Sequence, residues 1–416
     1  MSLDGESAPA IAQRHAFSAA FLGWMLDAFD FFVVVFLVGT LARQFGVSKA
    51  DIIWSITLTL AMRPVGALLF GLLSDRYGRR MPLMANVIYF AVIEVACGFA
   101  PNFGIFLVLR ALFGIGMGGE WGVGAALAME AAPRRKRGIW SGLLQSGYPV
   151  GYLAAALAAR FLLPALGWRA MFWAGGIPAL LALYVRAKVP ESKAWERVKA
   201  SSTKAILRTL TGNGKQVAYL VALMALMNFL SHGTQDLYPD FLASMHHLTP
   251  ATVAWMAVLY NVGAVVGAVI FGMASESWGR RRSMVAALAL SLVVLPFWSF
   301  GAGIWLLAAA AFLMQAGVQG AWGIIPVHLN ELAPDAARGL LPGFSYQIGI
   351  LIAAPTSNIE YALRDHFGYS KAMGGFELCI LVAVALVVAL GPERKGRDFM
   401  APEPPQITRG FHDAMK

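Results

Sequence analysis

Gly71-Leu-Leu-Ser-Asp-Arg-Tyr-Gly-Arg-Arg80 is written a second time as Gly272-Met-Ala-Ser-Glu-Ser-Trp-Gly-Arg-Arg281, 201 residues further on. The same offset lays Trp121, Gly122, Glu130, Pro133, Arg137 and Gly138 over Trp322, Gly323, Glu331, Pro334, Arg338 and Gly339. Two separate segments matching at one spacing are hard to obtain by chance, so the chain divides into two copies of one unit.

Around these loops the chain is too apolar for a soluble surface: 58% of its 416 residues are hydrophobic and 13% charged. Apolar runs of about 20 residues recur, the length a helix needs to cross a hydrocarbon core of about 30 Å. Twelve spans are expected, near 17–40, 50–74, 80–99, 103–127, 139–163, 168–187, 216–243, 251–275, 282–301, 303–327, 338–362 and 371–391. The expected fold is an all-α membrane protein with twelve transmembrane helices in two pseudo-symmetric six-helix bundles of parallel orientation. The bundles occupy 1–187 and 216–391, with a linker at 188–215 and a tail at 392–416.

The net charge of +10 is informative through its placement. With the N-terminus inside, 25 of the 33 Lys and Arg fall on inner segments and six on outer loops, while Arg63 and Arg110 lie within spans. That asymmetry places both termini in the cytoplasm, in a cytoplasmic (inner) membrane, and makes the basic charge a contact for the lipid bilayer; no nucleic-acid partner is expected. The linker reads as an amphipathic segment on the inner leaflet, and the Pro-rich, charged tail as disordered. The first sixteen residues lack the apolar core of a signal peptide, so the first span is expected to be a retained helix. Cys97 and Cys379 sit inside spans and offer neither a disulfide framework nor a metal spacing.

The Gly71 to Arg80 segment resembles the signature loop between the second and third helices of the major facilitator superfamily: glycine, two variable residues, then Ser-Asp-Arg-x-Gly-Arg-Arg. Gly71 lets two helices approach, Asp75 can pair with Arg79 or with a helix end of the other half, and Arg76, Arg79 and Arg80 hold the loop at the headgroups. With Gly78, and with Gly279 and Arg280 of the second copy, these residues are expected to form a gate latch that is closed when the carrier faces outward. Plain basic anchoring accounts for the arginines but not for Asp75 or the glycines. A narrower resemblance lies in the seventh span, Asn228-Phe-Leu-Ser-His-Gly-Thr-Gln-Asp-Leu-Tyr-Pro239, which is similar to the signature of the lactate and pyruvate proton symporters grouped with the sialate proton symporters. Gly118-Gly-Glu-Trp-Gly122 and Asp27-Ala-Phe-Asp30 fit the same group. The resemblance implies that the first, fourth, seventh and tenth helices line a central cavity, and that a small organic anion and a proton are the partners of a carrier working as a monomer.

Polar residues inside spans are costly enough to mark sites. Asp27 and Asp30 are i, i+3; Asn228, Ser231, His232 and Gln235 fall at i, i+3, i+4 and i+7; Gln315 and Gln319 are i, i+4, so each set shares one helix face. A carboxylate crossing a low-dielectric medium needs a cation or donors, and guanidinium meets it with two parallel hydrogen bonds. Arg63 and Arg110 are the candidate cations, with Asn228, Ser231, His232, Gln235, Gln315, Gln319 and Gln347 as polar lining. Either arginine has the alternative of pairing with an acid of its own half, such as Asp27 or Asp30. Proton coupling needs groups whose protonation follows burial and substrate occupancy; Asp27, Asp30, Glu120 and Asp236 are the candidates, with His232 beside them.

No phosphate loop, metal-ligand spacing or nucleophile elbow is present, so neither an enzyme nor a cofactor is expected and an ion gradient must supply the energy. The expected activity is proton symport of a short monocarboxylate such as lactate or pyruvate, by rocking of the two halves. A sialate, sugar acid or aromatic acid is the alternative cargo, and a non-transporting sensor the alternative class. One proton moved with one monocarboxylate would carry no net charge.

Overall fold

A computed structural model describes residues 8–198 and 202–401. The first four passes are single helices, α1 (Ala8–Phe45), α2 (Lys49–Tyr77), α3 (Arg80–Gly98) and α4 (Phe103–Ala131). Ser48 and Asp51 cap each other's backbone at the start of α2, and Asn102 caps α4, satisfying amides that have no partner within the helix. The fifth pass is α5 (Arg137–Gln145) continued by α6 (Gly147–Ala174); α6 turns at Gly167, where φ is 78°, so its last residues open the sixth pass, completed by α7 (Pro178–Lys188). Two short helices, α8 (Lys193–Val198) and α9 (Thr203–Gly212), follow. The seventh pass is α10 (Gly214–Gln235) with α11 (Tyr238–Met245), the eighth α12 (Pro250–Trp278) and the ninth α13 (Arg280–Phe300). The tenth is α14 (Ile304–Trp322) with α15 (Ile325–Leu332), the eleventh α16 (Leu341–Ala353) with α17 (Thr356–Phe367), and the twelfth α18 (Tyr369–Leu390).

Among the described residues there are twelve helical passes, as expected, but several are interrupted. Ten stretches of these residues are long and apolar enough to span alone; the sixth and eleventh passes are not, because breaks at 175–177 and at Ala354-Pro355 divide them. Pro239 and Pro326 stand in the first turns of α11 and α15, where a missing N–H is tolerated.

The sequence repeat is reproduced as hydrogen bonding. Arg79 Nε donates to Glu130 Oε2 (3.2 Å) and Arg280 Nε to Glu331 Oε2 (3.0 Å), at the same offset. Arg79 pairs with Asp75 at 2.6 Å and Arg280 with Glu276 at 3.1 Å. Gly78 and Gly279 hold φ of 106° and 98°, a region that only glycine enters freely. Arg76 lies over the Tyr77 ring at 5.0 Å, and Arg80 donates to the Arg186 carbonyl.

Both loops reach across to the other half on the face that carries the basic residues. Asp75 accepts from the Gly339 amide (2.7 Å) and the Leu340 amide (3.0 Å), while Glu276 accepts from the Gly138 amide. A Cβ on Gly71 would stand 2.7 Å from Leu340 Cα, and one on Gly122 2.7 Å from Gly343 Cα, so the halves touch backbone to backbone. This face is closed. Asp75→Asn removes a charged acceptor from three donors, each such bond contributing about 1.5–3 kcal/mol, which is enough to shift an opening equilibrium at least tenfold. The expected outcome is several-fold faster maleimide labelling of a cysteine at Leu341→Cys from the basic face. Unchanged labelling would reduce the loop to a headgroup anchor.

The tail departs from expectation. Residues 392–401 are docked: Glu393 accepts from the Arg280 and Arg281 amides (3.1 and 2.9 Å), and Arg397 donates to Asp335 (2.8 Å) and to the Ala333 carbonyl (2.6 Å). Phe399 is buried beneath Arg137 and Arg338, whose guanidinium carbons lie 3.7 and 4.0 Å from its ring centre. Of the charges that suggested disorder, Glu393, Lys395, Arg397 and Asp398 find partners; residues 402–416 lie outside the described residues. The linker likewise packs on protein, with Glu191 accepting from the Arg79 and Arg80 amides, Trp195 Nε1 donating to the Asp75 carbonyl at 2.8 Å, and Arg197 pairing with Asp335 at 2.7 Å.

Candidate functional site

The first half holds four buried carboxyl groups around two arginines. Asp27 and Asp30, one turn apart on α1, are fully buried, and none of their four oxygens has a hydrogen-bond partner. Glu120 on α4 is equally buried and unpartnered; its carboxyl rests against Gly23, where any Cβ would overlap it. Burying an ionised carboxylate without a donor costs several kcal/mol, so such groups persist only as neutral acids or beside a cation.

Glu94 on α3 is the acid that was missed. It pairs with Arg110 at 2.8 Å with both side chains fully buried, and Arg110 also lies 4.2 Å from the Phe113 ring centre. Arg110 thus has an acid partner within its own half through Nη1, while its Nε and Nη2 have no hydrogen-bond partner. Asp30 lies on the other side of Gly175, whose Cβ would stand 2.7 Å from Asp30 Oδ1 and 2.5 Å from Glu94 Cγ. Removing one partner of a buried pair costs about 3–5 kcal/mol, whereas replacing both by apolar groups is often neutral. Glu94→Leu is thus expected to lose that much stability, and Glu94→Leu with Arg110→Leu to regain most of it, as read by thermal unfolding in detergent. Equal melting of the single and double variants would contradict the pairing.

Arg63 on α2 differs in having no acid partner: it is 3% exposed, neither Asp27 nor Asp30 forms an ion pair with it, and its Nε and Nη2, like those of Arg110, have no hydrogen-bond partner. Its guanidinium lies 5.7 Å from the ring centre of Tyr346 on α16 of the other half. Around Tyr346 the two halves meet in an aromatic cluster: Trp121 at 4.7 Å, Trp322 at 5.5 Å and Trp24 at 6.3 Å. Trp24 stacks on Tyr148, which continues through Phe32 to Tyr152, all on α1 and α6. The indole N–H groups of Trp24 and Trp121 are buried and unpaired, as are both amide atoms of Gln347.

The facing wall, α10 and α14, is polar. Gln235 Nε2 donates to Gln315 Oε1 (2.9 Å), Gln315 Nε2 to Thr234 Oγ1 (3.1 Å), and Gln319 Nε2 to Ser231 Oγ (3.3 Å). Asn228, expected to face the cleft, instead donates to the Met224 carbonyl of its own helix (2.7 Å) and is buried. His232 Nδ1 lies 3.1 Å from Asp236, with the two side chains 35% and 41% exposed. Arg63 and Trp121 of the first half both meet Tyr346 of the second, so the two halves border one space. An unpaired buried cation with N–H donors suits an anion, the rings suit an apolar body, and unpaired acids suit protons.

Residues 20–237 match the family model described as Major Facilitator Superfamily, and residues 219–393 the model described as Sugar (and other) transporter. A carboxylic acid transporter protein homolog of Saccharomyces cerevisiae is 30% identical over 93% of this chain and 69% of its own length. A niacin transporter of Acinetobacter baylyi is 25% identical over 90% of this chain and 93% of its own. The solved proton:xylose symporter bound to 6-bromo-6-deoxy-D-glucose superposes with a TM-score of 0.74 over 94% of this chain and 98% of that one, at 20% identity, a likeness of fold. With the twelve passes and the repeated loop, these matches mean that the chain belongs to the major facilitator superfamily and is a multi-pass membrane transporter, not an enzyme.

Proposed function

We propose that this chain is a proton-coupled symporter of a small organic carboxylate, anchored by Arg63 and moved by rocking of the two halves. The observation that carries this is the buried, unpaired Nε and Nη2 edge of Arg63, a fork matching two carboxylate oxygens. The unpartnered acids Asp27, Asp30 and Glu120 are the proposed proton carriers of the first half, and Ser231, His232, Gln235, Gln315 and Gln319 the polar wall that reads the rest of the cargo. We place it, as a monomer, in the cytoplasmic membrane with its basic face inside. The seventh-span motif points to lactate or pyruvate. The wall formed by Trp24, Phe32, Tyr148 and Tyr152 favours a second choice, a planar unsaturated acid, which fits the niacin and carboxylic acid transporters among the relatives.

Calorimetric titration of the purified protein with nicotinate, benzoate, lactate and pyruvate separates the two. Stacking contributes about 0.5–1.5 kcal/mol beyond area burial, so the ring acids are expected to bind about two- to tenfold tighter. Tighter lactate or pyruvate binding would restore the short acids as cargo, and four silent titrations would remove the carboxylate reading.

A further inference from the structure

The second half contains two acids that the proposed cycle does not use. Glu360 on α17 is 1% exposed and Glu377 on α18 fully buried, and none of their four carboxyl oxygens has a hydrogen-bond partner. Glu377 packs onto α10 at Gly233, where any side chain would overlap its Oε1; Gly233 adjoins His232 and precedes Asp236 by three residues. Glu360 shares a face of α17 with Ser357, three residues earlier, and Ser357 Oγ donates to Asp236 Oδ2 at 3.2 Å. Asp236 in turn meets His232, and these two side chains are 41% and 35% exposed. The two buried acids thus stand beside a partly exposed His–Asp pair.

Other charge is scarce here. On α10 the titratable groups facing them are His232 and Asp236. Arg364 of α17 pairs with Asp365 at 3.1 Å, and Lys371 of α18 is exposed. From α13, Ser299 lies beside Gly374, while Arg280, Arg281 and Arg282 stand at the other end of that helix. Two carboxyls buried without a cation or donor persist as neutral acids, and the partly exposed His232 and Asp236 are the titratable groups that connect them to the surface.

We infer that Glu360 and Glu377 form a second proton-binding site, in the C-terminal half, loaded through His232 and Asp236 and emptied in the opposite orientation. It rests on the proton-symport reading and changes its charge balance. Two protons moving inward with one monocarboxylate carry one net positive charge, in place of the electroneutral exchange expected from one.

Infrared difference spectra of the purified protein in lipid, recorded between acid and neutral pH, test the site without any cargo. The protonated-carboxyl band lost on raising the pH is expected to shrink in E360Q and E377Q, both kept close to wild-type shape. A band unchanged in both variants, or one that responds to sodium at fixed pH rather than to pH, overturns the inference. In liposomes, nicotinate uptake by the wild type should rise with an inside-negative potential, and E377Q should keep pH-driven uptake while losing that response. Uptake indifferent to potential in the wild type, or equally sensitive in E360Q and E377Q, also overturns it. Absence of nicotinate movement altogether would count against the symport reading, and the spectra alone would then decide the acid pair.

Discussion

Arg63→Gln is expected to lower nicotinate affinity by at least about a hundredfold and to abolish its counterflow. A buried carboxylate stripped of its cation loses about 3–5 kcal/mol, and the guanidinium edge has no other occupant that would retain it for structural reasons. Arg63→Lys should fare little better, because an ammonium meets one oxygen where the guanidinium meets two. Titration and counterflow are read together with the melting temperature. The glutamine variant should fold at least as well as the wild type, since an unpaired buried charge is removed. An unchanged Kd in a folded Arg63→Gln protein would take Arg63 out of the site.

The second large effect concerns coupling. Glu120→Gln and Asp27→Asn keep the shape of two unpaired, fully buried acids while abolishing their exchangeable proton. Each variant should lose pH-driven accumulation, and at least one should keep substrate exchange, which needs no net proton movement. This split separates coupling from binding. If both still concentrate substrate when only a pH difference is imposed, the two carboxyls are structural and His232, with Asp236, is next in line.

Much of the architecture was legible because it follows from length, apolarity and an internal repeat. The Asp75–Arg79 pair follows from helical spacing, and the contact of Asp75 with Gly339 and Leu340 from placing an acid where a helix of the other half begins, whereas Glu130 and Glu331, each 51 residues from its arginine, were legible as repeated positions and not as partners. The breaks within passes were less legible, since a proline such as Pro239 marks where a helix can pause without saying whether the pass continues. Within the site, helix faces predicted the polar wall, but faces do not reveal partners. Arg110 seemed available because Glu94, sixteen residues earlier, meets it only when α3 and α4 pack. An acid in an apolar span was itself a signal, as Glu377 was. Trp24, Tyr148 and Tyr346 carried no such signal, because in a sequence this apolar a ring at a cleft and a ring in a core look alike.

The most direct test of the central claim is accumulation of radiolabelled nicotinate in proteoliposomes under an imposed pH difference with the membrane potential held at zero. Liposomes carrying the Arg63→Gln protein measure passive entry. The expected result is accumulation above that baseline, abolished by a protonophore, with alkalinisation of the outer medium as protons enter with the cargo. Nicotinate that equilibrates through the wild-type protein without ever being concentrated, at a rate indifferent to the pH difference, would contradict proton symport.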